Sequence, residues 1–222
     1  ALSIENANVT ATSSYYNGVT VQSGNSENSS ASLTVNGGSL TATASSENVS
    51  GISLSVGADG TGDCTPTVTV SNNAIVRAKG SAGGITSNSS TGVQYGTGSN
   101  STGGIVFDGK NGTVYGDVTL QEDITIGEGE SLTIGKDASL NTGSHEVIVN
   151  GGTLNGADKI TGTVKYAPTI TTQPTSQTVT DGETATFTIE ASGSELLSYQ
   201  WQQSTNGSDW TDIEGATSAT YT

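Results

Sequence analysis

The chain has 222 residues, and six Lys and Arg against twenty-one Asp and Glu give it a net charge of −15. That length suits one large domain or one domain plus a smaller one, and the acidic balance repels phosphate backbones and anionic lipid, which argues against nucleic-acid and membrane-surface binding. Leu, Ile, Val and Phe make up only about 19% of the residues, Met is absent and Gly numbers 31, so long helices lack their usual material and the chain is either β or disordered.

Taken in chain order, the first feature is repetition. The segment Leu2-Ser-Ile-Glu-Asn-Ala-Asn-Val-Thr-Ala-Thr returns from Leu33 and again from Val68, the starts lying 31 and then 35 residues apart. Each copy is followed by Gly and a β-branched residue: Gly18-Val19, Gly51-Ile52 and Gly84-Ile85. Within a copy, apolar residues alternate with Thr or Ser, as in Leu33/Val35 and Leu40/Ala42, the two-residue period of a half-buried strand. A unit of such short strands cannot bury its apolar edge alone. The copies must therefore stack, each strand pairing in parallel with its equivalent in the next copy, with Asn and Gly at left-handed corners. This predicts a parallel β-solenoid.

Candidate chemistry is sparse along these copies. Tyr15, Tyr16, Tyr95, Tyr115 and Phe107 lie in or beside the variable loops. They read either as anchors covering the edges of the copies or as platforms for the apolar C–H faces of sugars. Asp59 and Asp63 sit four residues apart in a Gly-rich loop, which is either a plain loop or a wrap for calcium, the one cofactor the sequence suggests. Cys64 is the single cysteine, so no intrachain disulfide forms. Arg77 and Lys79 are the only cations of the repeats. Strand alternation puts both outward, whereas aligning Ile75 with Leu40 would turn Arg77 inward.

After Gly103 the beat shortens, with apolar pairs about every seven or eight residues: Val118/Leu120, Ile124/Ile126, Leu132/Ile134 and Val147/Val149. Residues 103–167 read as the same stack continuing with tighter turns. His145, the only histidine, reads as a solvated turn residue. No apolar run approaches the ~20 residues of a membrane helix, and Ala1 opens without a signal-type region, as in a processed or excised piece.

From Pro168 the composition changes to no Lys or Arg, seven carboxylates and both tryptophans. Strands are expected at 178–180, 184–191 and 197–202, with turns at Asp181-Gly182 and Asn206-Gly207.

Two resemblances follow from these residues. Pro168-Thr-Ile-Thr-Thr-Gln-Pro174, Gly182-Glu-Thr-Ala-Thr-Phe187, Tyr199-Gln-Trp201 and Trp210-Thr-Asp-Ile213 with Gly215-Ala-Thr217 resemble bacterial immunoglobulin-like domains of cell-surface proteins. That resemblance implies that Trp201 packs in a sandwich core, that Trp210 packs against its sheet, and that the last strands are missing. The repeats, across about residues 1–167, resemble the right-handed β-helix repeats of large bacterial surface proteins, some of them carbohydrate-binding. The expected fold is thus all-β: a right-handed parallel β-helix over 1–167, then an incomplete immunoglobulin-like β-sandwich over 168–222. The expected function is a non-catalytic extracellular cell-surface module, stalk or adhesin-like, with a polysaccharide or host or cell-wall glycan as partner. Self-association through an open sheet edge of 168–222 is also expected. The alternative is a polysaccharide lyase or hydrolase of the β-helix type.

Overall fold

The structure, a computed structural model, describes residues 1–23, 30–55, 65–98, 102–194 and 196–222. It is all-β and built largely on parallel sheets. Two compact units emerge, Ala1–Thr163 and Val164–Thr222. In the first unit the strands run β1 (Leu2–Ser13), β2 (Val19–Gln22), β3 (Ser32–Ala44), β4 (Ser50–Ser55), β5 (Thr67–Ser71), β6 (Ala74–Lys79), β7 (Gly83–Ser87) and β8 (Gln94–Thr97). They continue as β9 (Gly104–Asp108), β10 (Asn111–Tyr115), β11 (Asp117–Thr119), β12 (Ile124–Ile126), β13 (Ser131–Ile134), β14 (Ser139–Val149) and β15 (Thr153–Asn155), and β16 (Ile160–Tyr166) spans the division at Thr163.

The copies pair in parallel, in the register their alternation dictates. Leu2 lies opposite Leu33, Leu33 opposite Val68 and Val68 opposite Tyr95. A second column runs Val9, Leu40, Val76, Val106, and a third runs Val19, Ile52, Ile85. Leu33, Leu40, Ile52, Val68 and Val76 are fully buried in one apolar cluster. Each inward side chain thus packs on the equivalent residue of the neighbouring copy, and weakly apolar strands shield one another. The corners are left-handed as read: Asn6, Asn72 and Asn73 have φ of 47°, 52° and 61°. The third copy spends three residues, Asn72 to Ala74, where the second spends Gly37 and Gly38, which moves the partner of Leu40 to Val76. Ile75 therefore does not align with Leu40, and Arg77 lies opposite Thr41 on the side away from that cluster.

The expectation of an unbroken parallel continuation after Gly103 does not hold. β9 pairs in parallel with β6 on one side and antiparallel with β10 on the other, through a two-residue connection between Asp108 and Asn111. Only Gly109 there has positive φ, 62°, as in the hairpin turn that places Gly first. Beyond it the chain pairs in parallel again, β10 with β13, β13 with β15, and β11 and β12 with β14.

The hairpin also changes which face is buried. Val106 belongs to the first cluster, whereas its neighbour Ile105 is fully buried outside it and lies opposite Val114 and Ile75. Side chains alternate across a sheet, so Ile75, Ile105 and Val114 face the other way. Val114 pairs with Ile134 and Gly112 with Leu132 on that same face. Arg77 meets Glu122 there, and Asn73 Oδ1 accepts from the Thr119 amide at 2.8 Å. One sheet thus carries a core on each face.

In the second unit, β17 (Thr169–Thr172), β18 (Phe187–Thr188), β19 (Glu190–Ser192), β20 (Gln202–Gln203), β21 (Thr211–Asp212) and β22 (Thr220–Tyr221) form three antiparallel pairs: β17 with β19, β18 with β22, β20 with β21. Residues 178–180 are not a strand. The Gln177 side chain instead accepts from the Thr186 amide and donates to the Thr186 carbonyl, doing the work of a ladder. Trp201 lies between Phe187 and Tyr221, with ring centroids 6.5 Å and 6.0 Å away, and its Nε1 donates to the Ser218 carbonyl at 2.8 Å. Trp210 does not join them: it is 58% exposed, contrary to the packing implied by resemblance.

Candidate functional site

Tyr95 ends the inward column begun by Leu2, so its ring lies on the edge of the first cluster and not in open solvent. Tyr115 closes the hairpin opposite Gly104 and packs against the same cluster. The two rings stack, centroids 6.0 Å apart and planes 11° apart. Asp108, the last residue of β9, holds this corner with both oxygens. Oδ2 accepts from the Tyr95 hydroxyl at 2.9 Å and Oδ1 from the Ile85 amide at 2.7 Å. Gly84 makes the approach feasible, because a Cβ there would lie 2.0 Å from the Gly109 nitrogen and 2.5 Å from Asp108 Oδ1.

Burial, with the Asp108 carboxylate beside it, raises the Tyr95 phenol well above its ordinary range, and burial raises Tyr115 as well. Both are neutral phenols at physiological pH, and Tyr95 serves as donor to a carboxylate. Around the pair opens a cleft of about 470 Å³ lined also by Lys110, Asn111 and Thr113. It offers aromatic rings and a set of amide, hydroxyl and ammonium donors, the composition of a site for a polyhydroxylated ligand.

The structure brings together Tyr95 and Tyr115 but not the other two candidate tyrosines. Tyr15 and Tyr16 follow β1, are each 79% exposed, and do not line this cleft. Their backbone amides are held by the Ser13 hydroxyl. Asp59, Asp63 and Cys64 lie outside the described residues. Among the described residues, no group of three or more His, Cys, Asp or Glu is placed to hold a metal ion.

On the opposite face of the sheet, a smaller cleft of about 220 Å³ is lined by Thr41, Thr43, Arg77, Lys79, Phe107 and Glu130. The Arg77 guanidinium is engaged there, 2.7 Å from Glu122 and 5.1 Å from the centroid of Phe107. His145 is part of strand β14 and not of a turn, with Nδ1 3.3 Å from Asp123 Oδ1. Sequence reasoning missed Asp108 and Asn111. The Asp-Gly pair at 108–109, between the apolar run Ile105–Phe107 and the β-branched Thr113 and Val114, was the signal available for that hairpin.

Comparison with known proteins adds two partial matches. Residues 160–222 match a family described as a domain of unknown function, DUF8696. A stretch of 59 residues is 46% identical to Endoglucanase C of Cellulomonas fimi, which covers 27% of this chain and 5% of that protein. The chain thus spans a small fraction of the length of that relative. No solved structure matches at a significant level.

Proposed function

We propose that this chain is a non-catalytic module of an extracellular, cell-surface protein, in which residues 1–163 form a rigid right-handed parallel β-solenoid that presents a glycan-binding cleft, followed by an immunoglobulin-like domain. The column-on-column register supports the solenoid. A right hand is the sense we assign to it, from the general preference of parallel crossovers. The hairpin at 108–111 reverses strand direction and the second core lies on the opposite face, two reversals that are compatible with one sense of winding in both stacks.

The observation that carries the glycan reading is the Tyr95–Tyr115 stack set among Asp108, Asn111, Thr113 and Lys110. The same geometry argues for binding without turnover. Asp108 accepts a hydrogen bond at each oxygen, from the Tyr95 hydroxyl and the Ile85 amide, which supports an anchoring role for it. Of Arg77 and Lys79, the two side chains of the repeats that a lyase could use as base or cation, Arg77 is paired with Glu122.

The partial match to an endoglucanase favours a second reading, in which the parent protein degrades polysaccharide and this segment is an accessory to it. Incubation with polyuronate and with neutral glycans separates the readings. Retention on glycan without product supports the binder, and unsaturated or reducing-end product overturns it in favour of the enzyme. Failure to bind any glycan leaves a stalk.

A further inference from the structure

We infer that the outer face of the β20–β21 hairpin is a second glycan platform, centred on Trp210 and selective for neutral sugars. It rests on the glycan reading for its ligand class, but it is a separate site in the second unit. Gln202 pairs with Asp212 and Gln203 with Thr211, so one step further Ser204 stands opposite Trp210. Because side chains of paired residues share a face and alternate along the strand, Trp210 falls on the face of Gln202 and Asp212. Trp201, one residue before Gln202, turns the other way onto Phe187 and Tyr221.

This sorting explains why two tryptophans nine residues apart have opposite fates. Trp201 is half-buried, and its indole nitrogen is satisfied by the Ser218 carbonyl. Trp210 is 58% exposed, the only Trp, Tyr or Phe of the described second unit, apart from Tyr166, to be so open. Beside it, Gln202 Nε2 donates to Asp212 Oδ1 at 2.9 Å, a polar pair at the rim of an apolar ring. A pyranose presents the matching pattern: an apolar C–H face for the indole and equatorial hydroxyls for an amide and a carboxylate.

The loop that carries Trp210 is fixed in advance. Asn206 Oδ1 accepts from the Ser208 and Asp209 amides at 2.9 Å each, and Asn206 Nδ2 donates to Asp209 Oδ2 at 2.6 Å. Little ordering remains to be done on binding, which favours affinity. Charge sets the ligand class. Residues 168–222 contain seven carboxylates and no Lys or Arg, so uronates and sulfated sugars are repelled and neutral glycans are not.

The test is a fluorescence titration of the full chain with neutral gluco-, manno- and xylo-oligosaccharides, and with a polyuronate for comparison. Both tryptophans of the chain lie in this unit, so emission reports on it and not on the tyrosine cleft. A saturable blue shift with a neutral oligosaccharide in the parent chain, together with retention on that immobilised sugar that is lost in Trp210→Ala and weakened by less than about tenfold in Trp210→Phe, supports the inference. Trp210→Ala should leave the unfolding midpoint unchanged, because its ring is outside the Trp201 cluster. Glycan retention that Tyr115→Ala abolishes while Trp210→Ala does not overturns this inference and leaves the cleft reading standing. Retention lost only in Trp210→Ala does the reverse. Preference for the polyuronate, or no binding by any of the sugars, overturns it outright.

Discussion

Replacing Leu40 by Ala tests the column packing directly. Leu40 is fully buried between Val9 on one side and Val76 on the other. The change deletes three carbons, worth roughly 2.4 kcal/mol at about 0.8 kcal/mol per buried CH₂. The neighbouring strands are held by their backbone ladders and close the gap only in part, so the residual cavity brings the cost to about 3–4 kcal/mol. Val9, in the same column, is 37% exposed, and Val9→Ala deletes two carbons that are already partly wet, for about 1 kcal/mol. Leu40→Ala combined with Val76→Ala should depart from additivity by at least about 0.5 kcal/mol, since the two share one contact. Denaturant unfolding followed by far-UV circular dichroism is the assay, because both tryptophans report on the other unit. A cost below about 1 kcal/mol for Leu40→Ala, or one equal to that of Val9→Ala, would refute column packing as the source of stability.

Three further outcomes follow. Gly51→Ala would place its Cβ 2.3 Å from the Lys79 nitrogen and 2.7 Å from the Ala42 carbonyl, whereas a Cβ at Gly96 meets nothing within 4 Å. Thermal unfolding should show a loss above about 2 kcal/mol for the first and under about 0.5 kcal/mol for the second. Burial raises the Tyr95 phenol above the ordinary tyrosine range near pH 10, so the stability it contributes is complete below about pH 10 and is lost as pH climbs further. Unfolding midpoints should therefore fall more steeply above that pH in the parent chain than in Tyr95→Phe, and equal slopes would contradict the burial argument. An exposed strand edge in 168–222 invites pairing with a second copy. Sedimentation should resolve a concentration-dependent dimer, and a monomer with full amide protection in that segment would count against it.

What the sequence disclosed and what it withheld have a common cause. The equivalence of Leu2, Leu33 and Val68, and of Val19, Ile52 and Ile85, is legible because stacked copies must put like residues on like, and the pairings match. Left-handed Asn6, Asn72 and Asn73 are legible because few side chains tolerate that backbone. The switch of core face after Asp108 is not carried by periodicity. Alternation in Gly104–Asp108 serves both faces, with Ile105 and Val106 each buried on its own side, and a run of adjacent apolar residues does not say which neighbour each one meets. For the site, the tyrosines stood out as aromatic residues among Ser and Thr. Their partner Asp108 did not, because its role depends on a close approach of the hairpin to Gly84 that only the fold creates. Trp210 was misread because its face depends on the register of β20 with β21, Gln203 opposite Thr211, which a two-residue turn at Asn206-Gly207 would have shifted by one residue.

The most direct measurement is a titration of isotope-labelled chain with a soluble glycan identified by array screening, followed by nuclear magnetic resonance. Saturable shifts are expected at the ring signals of Tyr95 and Tyr115 and at the Asn111 side-chain amide, with the sugar recovered unchanged. Shifts confined to other residues, or conversion of the sugar to shorter products, would contradict the glycan reading.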